Sequence, residues 1–187
     1  MLGYRLLQGP PPGAAPGGPP EPLWPGGPRL YGARFNPKGP FGGIYLASDP
    51  VTALTEVGAV LENPSVPRTT LRTPPWAVFA VEGIVTGTLD LTDSRNQECL
   101  GTSLSELTGD WRYTQARYLR GESSMPPTQL LGKVAYESER ITGLLYRAAR
   151  NTVDGLSLVV FPDRLDHERG DSLAVYDPHK QISQRLP

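Results

Sequence analysis

Eight residues into the chain the sequence runs GPPPGAAPGGPPEPLWPGGP, residues 9–28, and fifteen of these twenty positions are proline or glycine. Proline lacks the amide donor and glycine loses the most conformational freedom on folding, so such a run builds neither a helix interior nor a central strand. It is expected to be an irregular loop. The short apolar segment before it, residues 3–7, is expected to form a first strand. A polyproline ligand for a partner domain is the other use of such composition, but no basic flank accompanies a PxxP here.

Beyond the loop the pattern is mixed. Residues 44–47 (IYLA) predict a strand, and Ser48-Asp49-Pro50 predicts a helix start, with Asp49 as N-cap and Pro50 in the first turn. The spacing of Val51, Leu54, Val57 and Leu61 predicts a helix over 50–62 with those residues on its buried face and Glu56 at the edge of the stripe. A proline-containing linker, 64–75, leads to a strand over 76–85 and a short one near Leu89. Residues 93–126 predict short helices and loops around Trp111, followed by a helix over 128–139 with Leu130, Leu131, Val134 and Ala135 as its apolar face. Strands are expected near 143–146, 156–161 and 173–176. Several strands with two main helices inserted make a single α+β domain spanning 1–187.

Composition removes several function classes. A formal net charge of -1 argues against holding nucleic acid through the overall field. The eighteen basic residues divide into fifteen Arg and three Lys; coding bias accounts for such a skew more readily than phosphate recognition does. Cys99 is the only cysteine, so neither an internal disulfide nor a cysteine metal cluster can form, which suits a reducing cytosol. No charged leader and no apolar run approaching about 18 residues is present, predicting a protein that is neither secreted nor membrane-spanning. Both histidines sit among charged or turn residues, and GxSxG, P-loop, GxGxxG and HExxH motifs are absent.

Three polar residues remain. Arg34, Tyr45 and Glu56 follow one another at two spacings of eleven residues. Each has an ordinary reading: a turn arginine, a half-buried strand tyrosine, a solvated helix glutamate. The motifs around them decide the matter. Tyr4-Arg5, Gly32-Ala33-Arg34-Phe35-Asn36, Tyr45-Leu46-Ala47, Ala53-Leu54-Thr55-Glu56, Thr128-Gln129-Leu130-Leu131-Gly132 and Leu158-Val159-Val160-Phe161 occur in the order that defines the RES domain, and the chain resembles that family over nearly its whole length.

The resemblance implies a fold like that of ADP-ribosyltransferases, a mixed β-sheet core with inserted helices, and a cytoplasmic toxin of the RES–Xre type II toxin–antitoxin systems. It implies NAD as substrate, cleaved at its nicotinamide–ribose bond by hydrolysis or phosphorolysis, with no metal. Arg5 and Arg34, expected near strand ends, would grip the pyrophosphate through bidentate charge-assisted bonds. Tyr45 would stack on the nicotinamide, its phenol edge fixing the orientation, and Glu56 would stabilise an oxocarbenium-like ribose. It implies as partner an Xre-type helix-turn-helix antitoxin, through which any DNA contact would run.

One motif departs. Where the family carries a serine, Gly143-Leu-Leu-Tyr-Arg-Ala-Ala-Arg150 has Ala148; Ser157 lies nearby in an apolar run that fits the motif poorly. A natural member without the hydroxyl, a shifted alignment, and a Ser→Ala change made to tolerate a toxic product all account for this. The matching flanks Tyr146, Ala149 and Arg150 favour the last. The alanine implies weakened turnover or binding. The alternatives are transfer of ADP-ribose to a protein target and a non-catalytic binding protein on a degenerate RES scaffold.

Overall fold

The apolar run near residue 158 becomes a strand buried on both faces, and the molecule is organised around it. The computed structural model describes residues 1–8, 21–58, 60–63, 66–70, 76–150 and 154–187. In chain order its strands are β1 (Leu2–Gln8), β2 (Ile44–Ala47), β3 (Val60–Asn63), β4 (Val66–Thr70), β5 (Trp76–Ile84), β6 (Thr88–Asp90), β7 (Gly143–Arg147), β8 (Leu156–Val160), β9 (Ser172–Val175) and β10 (Arg185–Leu186). The helices are α1 (Gly26–Tyr31), α2 (Pro50–Glu56), α3 (Ser94–Cys99), α4 (Leu104–Thr108), α5 (Trp111–Leu119) and α6 (Pro127–Glu137). Eight strands form one mixed sheet in the order β10-β9-β5-β1-β2-β8-β7-β6, with β3 and β4 a separate antiparallel pair. Every pairing in the large sheet is antiparallel except β6 with β7. The protein is α+β, as its pattern predicts.

Alternation along β8 divides the core. Val159 packs on one face with Phe35, Phe41, Leu107 and Phe161, under α4 and α6. Leu158 and Val160 pack on the other with Ile44, Leu46, Val81 and Leu173. In the first cluster Phe41 stacks on Tyr136 at 4.2 Å between centroids, and Phe161 meets Phe41 edge-on at 5.4 Å. Each fully buried aromatic or branched side chain contributes roughly 1.5–3 kcal/mol.

β1 is where the sheet opens. It pairs with β5 along its whole length, from Leu2↔Glu82 to Gln8↔Trp76, but with β2 at Tyr4↔Ala47 alone. Beyond that one pair β1 and β2 part, and a cleft enters between Leu6 and Leu46.

Several sequence expectations change. Residues 9–20 of the proline/glycine stretch lie outside the described residues, but its end is helical: α1 contains Pro28. Proline is tolerated there because amide donors of a first helical turn have no intrahelical acceptor. The 50–62 helix stops at Glu56, with Gly58 at φ +72°, a conformation glycine adopts without penalty. Residues 60–63 and 66–70 then pair as β3 and β4, so part of the expected linker is strand. The buried side of α2 is Thr52, Ala53 and Thr55, and Val57 is exposed. Those threonines tolerate burial because their hydroxyls are bonded, Thr55 Oγ1 to the carbonyls of Val51 and Thr52 and Thr52 Oγ1 to Asp49. On α6 the buried residues are Thr128, Gln129, Gly132 and Ala135, while Leu130 and Val134 face outward. The cause is a close approach: a Cβ on Gly132 would stand 1.9 Å from the carbonyl oxygen of Phe35. No described helix is long and apolar enough to cross a membrane.

Candidate active site

The cleft at the β1–β2 divergence has a volume of about 720 Å³ and collects residues from across the chain. Arg5, Arg34, Tyr45 and Glu56 all line it, so the structure brings together four of the five residues singled out from sequence. Trp111, Arg112 and Gln115 of α5, with Tyr146, Arg150 and Ser157, complete its walls.

Arg34 and Phe35 leave one tight turn in opposite directions. Ala33 and Asn36 exchange backbone hydrogen bonds (2.8 and 3.2 Å), which sends Phe35 into the core at 0% exposure and Arg34 into the cleft. The Tyr45 hydroxyl fastens this turn from β2. It accepts from the Phe35 amide (3.0 Å) and donates to Asn36 Oδ1 (2.7 Å). Gly43 permits the packing, since a Cβ there would lie 2.7 Å from Asn36 Oδ1. Burial and then the neighbouring Tyr146 push the Tyr45 phenol well above its ordinary range, opposed by the Phe35 amide and Arg34. It is therefore a neutral donor at any physiological pH. Its hydroxyl is committed to the turn, so only the ring is free for a ligand; this replaces the expectation that the phenol edge orients one. Tyr45→Phe leaves the Phe35 amide and Asn36 Oδ1 unpartnered, a cost of about 1–3 kcal/mol. For a chain of this size that is a melting temperature lower by about 2–4 °C per kcal/mol, and an unchanged melt would mean that the turn is held by other contacts.

Arg34 Nη1 donates to the carbonyls of Leu107 (2.7 Å) and Gly109 (2.9 Å) at the C-terminal end of α4. A cation suits that end of a helix. Among the described residues nothing accepts from its Nε or Nη2. Arg5 lies mid-strand in β1 rather than near a strand end. Its Nη2 donates to the Trp24 carbonyl (2.7 Å), and its buried Nη1 has no partner among the described residues. Burial pulls this guanidinium down to about 10, still fully charged at neutral pH. Arg5 and Arg34 are each only 8% exposed.

Glu56 is the last residue of α2, and the Asp49 cap fixes where the helix starts: Asp49 Oδ1 accepts from the Thr52 amide at 2.9 Å. Glu56 Oε1 accepts from the Arg150 amide at 2.7 Å, tying α2 to the segment after β7. Its second oxygen has no donor among the described residues. Four guanidinium groups thus face one carboxylate. Arg112 registers the imbalance: burial first, then repulsion from Arg150 and Arg34, lower its pKa, against attraction to Asp110 and Glu56. No ion pair among the described residues neutralises Arg5, Arg34, Arg112 or Arg150. Uncompensated, and with Arg5 and Arg34 buried, this set is arranged for a polyanion beside aromatic rings.

Ala148 is the residue that is not brought in. It is buried, its amide donates to the Gly155 carbonyl (2.8 Å), and it is absent from the cleft wall. Ser157 takes that place. It pairs with Tyr146 across β7 and β8 and lines the cleft beside it. Its own strand motif concealed it, because an apolar run buried on both faces gives no sign of which member opens onto a cavity. α5 was also missed. It has no buried residue, so no core-facing stripe marks it in the sequence.

A family model described as RES domain matches residues 10–179. The chain belongs to the RES domain family. Among solved structures, this RES domain resembles a chain of the crystal structure of the M. tuberculosis MbcT-MbcA toxin-antitoxin complex. The TM-score is 0.58 at 21% identity, over 99% of this chain and 82% of that one. At that identity the likeness concerns the fold. A search of curated proteins finds no match.

Proposed function

We propose that this RES domain is the toxin of a toxin–antitoxin pair and that it binds NAD in the cleft and breaks the nicotinamide–ribose bond. The observation that carries the reading is the pairing of uncompensated guanidinium groups with a single carboxylate that keeps one oxygen free. The cleft volume, about 720 Å³, falls within the range of roughly 300–1,000 Å³ usual for small-molecule sites. Membership of the RES family and the fold shared with a toxin–antitoxin complex support the same reading. On it, the sheet parts at β1–β2 in the manner of an ADP-ribosyltransferase-like fold.

In this reading Arg5 and Arg34 hold the pyrophosphate, aided by Arg112 and Arg150, and the Tyr45 ring packs on the nicotinamide. Glu56 accepts a ribose hydroxyl through its free oxygen. As the C1′–N bond breaks, nicotinamide leaves with the bonding pair, and the ribose takes on oxocarbenium character that the Glu56 carboxylate stabilises. Water, phosphate or a protein side chain then attacks C1′ and gives up a proton. The antitoxin, an Xre-type helix-turn-helix protein, covers the cleft in a cytoplasmic complex, and no metal takes part.

The hydroxyl that the family motif puts at position 148 is here supplied by Ser157. Nicotinamide release from NAD, measured with and without phosphate, tests both steps of the reading. The chain with Ala148 is expected to release nicotinamide, Ser157→Ala to lose about tenfold, and Ala148→Ser to stay within about threefold. A gain of tenfold or more in Ala148→Ser would restore the missing serine to position 148. No release from any of the three chains would reject the enzyme and leave a binding protein on a RES scaffold.

A further inference from the structure

α5 borders two cavities. Its first half, Trp111 to Gln115, faces the cleft, and its second half walls a smaller groove of about 220 Å³ shared with α6 and the 37–40 loop. Pro37, Pro40, Tyr118, Leu119 and Met125 make the groove largely apolar. Leu119 among them is 56% exposed. Apolar side chains gathered in one place on a surface mark an interaction site more often than scattered ones do.

Two further features say what fits. The chain has only three lysines, and two of them, Lys38 and Lys133, line this groove. Lys133 has one acidic neighbour, Glu137 at 3.8 Å, in an exposed pair that a ligand carboxylate can replace at little cost. The second feature is Gln129, 1% exposed and lining the groove. Its Nε2 donates to the Ala33 carbonyl (2.9 Å) and to Gln115 Oε1, and Gln115 in turn donates to the Tyr31 carbonyl (3.1 Å). Backbone carbonyls at both ends fix the orientation of the two amides. Among the described residues Gln129 Oε1 is left buried without a donor, an unfavourable position. A peptide N–H meets that need, whereas a phosphate or other bare anion would face an acceptor.

We propose that the groove between α5, α6 and the 37–40 loop docks an extended, acidic and apolar peptide segment of a partner protein. Its side chains fill the space beside Leu119 and Met125, its carboxylates meet Lys38 and Lys133, and a backbone amide serves Gln129 Oε1. The inference stands apart from the NAD reading, since no residue proposed there to touch NAD is needed here.

The test is titration of the isotopically labelled protein with a short acetylated peptide of alternating leucine and aspartate, followed by amide chemical shifts. Shifts are expected at Lys38, Leu119, Gln129 and Lys133, with affinity lower by about tenfold or more in Lys38→Glu/Lys133→Glu. The exposed substitution Leu119→Asp gives the same loss by a second route, and spectra elsewhere report that both variants are folded. Absence of shifts, shifts confined to the arginine cleft, equal binding of a leucine–lysine peptide, or unaltered binding by both variants would each overturn the proposal.

Discussion

Glu56→Gln is expected to lower nicotinamide release by roughly 10²–10³ in kcat while the affinity for NAD changes by less than about threefold. Glutamine keeps the shape and the carbonyl that accepts the Arg150 amide at 2.7 Å, so the tie between α2 and the segment after β7 survives. What it removes is the negative charge. Substrate binding depends on the guanidinium groups and tolerates that loss; with one anion fewer among four cations, the hold on a pyrophosphate tightens if it changes at all. The positive charge that develops on the ribose has no other described carboxylate lining the cleft to meet it. The two effects therefore separate, and calorimetry for affinity beside single-turnover nicotinamide release reads them independently. A variant with unchanged kcat would reduce Glu56 to a cap on the Arg150 turn, and the enzymatic reading would fall with it.

How much of this site was legible depended on whether the apolar face of each element was also its packed face. For β8 and β2 it was, and the strands lie where the sequence puts them. The cap was legible too, because Asp49-Pro50 acts through local geometry that a few residues determine, and it delivers Glu56 to the cleft. For α2 the stripe of Val51, Leu54, Val57 and Leu61 misled, because it ran past a helix end set by Gly58 and on into β3. For α6 it misled for a spatial reason. The helix comes so near the Phe35 carbonyl that only small or bonded side chains fit between them, and its larger apolar residues turn outward. Arg34, Tyr45 and Glu56 stood close together in sequence and could be suspected as a set. Arg112, Arg150 and Ser157 join them only through the sheet and α5, and no local period encodes that meeting. Ala148 shows the limit from the other side: a motif match gives a position in the chain, not the direction in which that position faces.

Arg5→Met should act in opposite directions on stability and on binding. Among the described residues Arg5 is a buried cation with a single hydrogen bond, to the Trp24 carbonyl, and an Nη1 that nothing accepts from. Its depressed pKa, about 10, expresses the same fact, since burial alone is its cause. The sign follows from that direction. A cation whose folded pKa lies below its ordinary value costs stability at every pH below about 10, and the cost is relieved only as pH rises through that value. Methionine has a similar reach and no charge, and replacing buried charged groups by packed apolar ones stabilises other proteins by about 1–4 kcal/mol. Part of that gain is offset here by the unpartnered Trp24 carbonyl, at about 1 kcal/mol or more. A rise in melting temperature of about 2–6 °C is expected at neutral pH. ADP and NAD affinity, by contrast, should fall by about thirtyfold or more, since a desolvated charge-assisted hydrogen bond to the pyrophosphate is lost. Scanning calorimetry with and without ADP reads both at once: the free variant melts above the chain with Arg5, and the same ADP concentration raises its melting point by less. A fall in both stability and affinity would make Arg5 a structural residue of the β1–β2 junction. A rise in stability with ADP affinity intact would leave the buried charge without a ligand to explain it and would move the pyrophosphate to Arg34, Arg112 and Arg150.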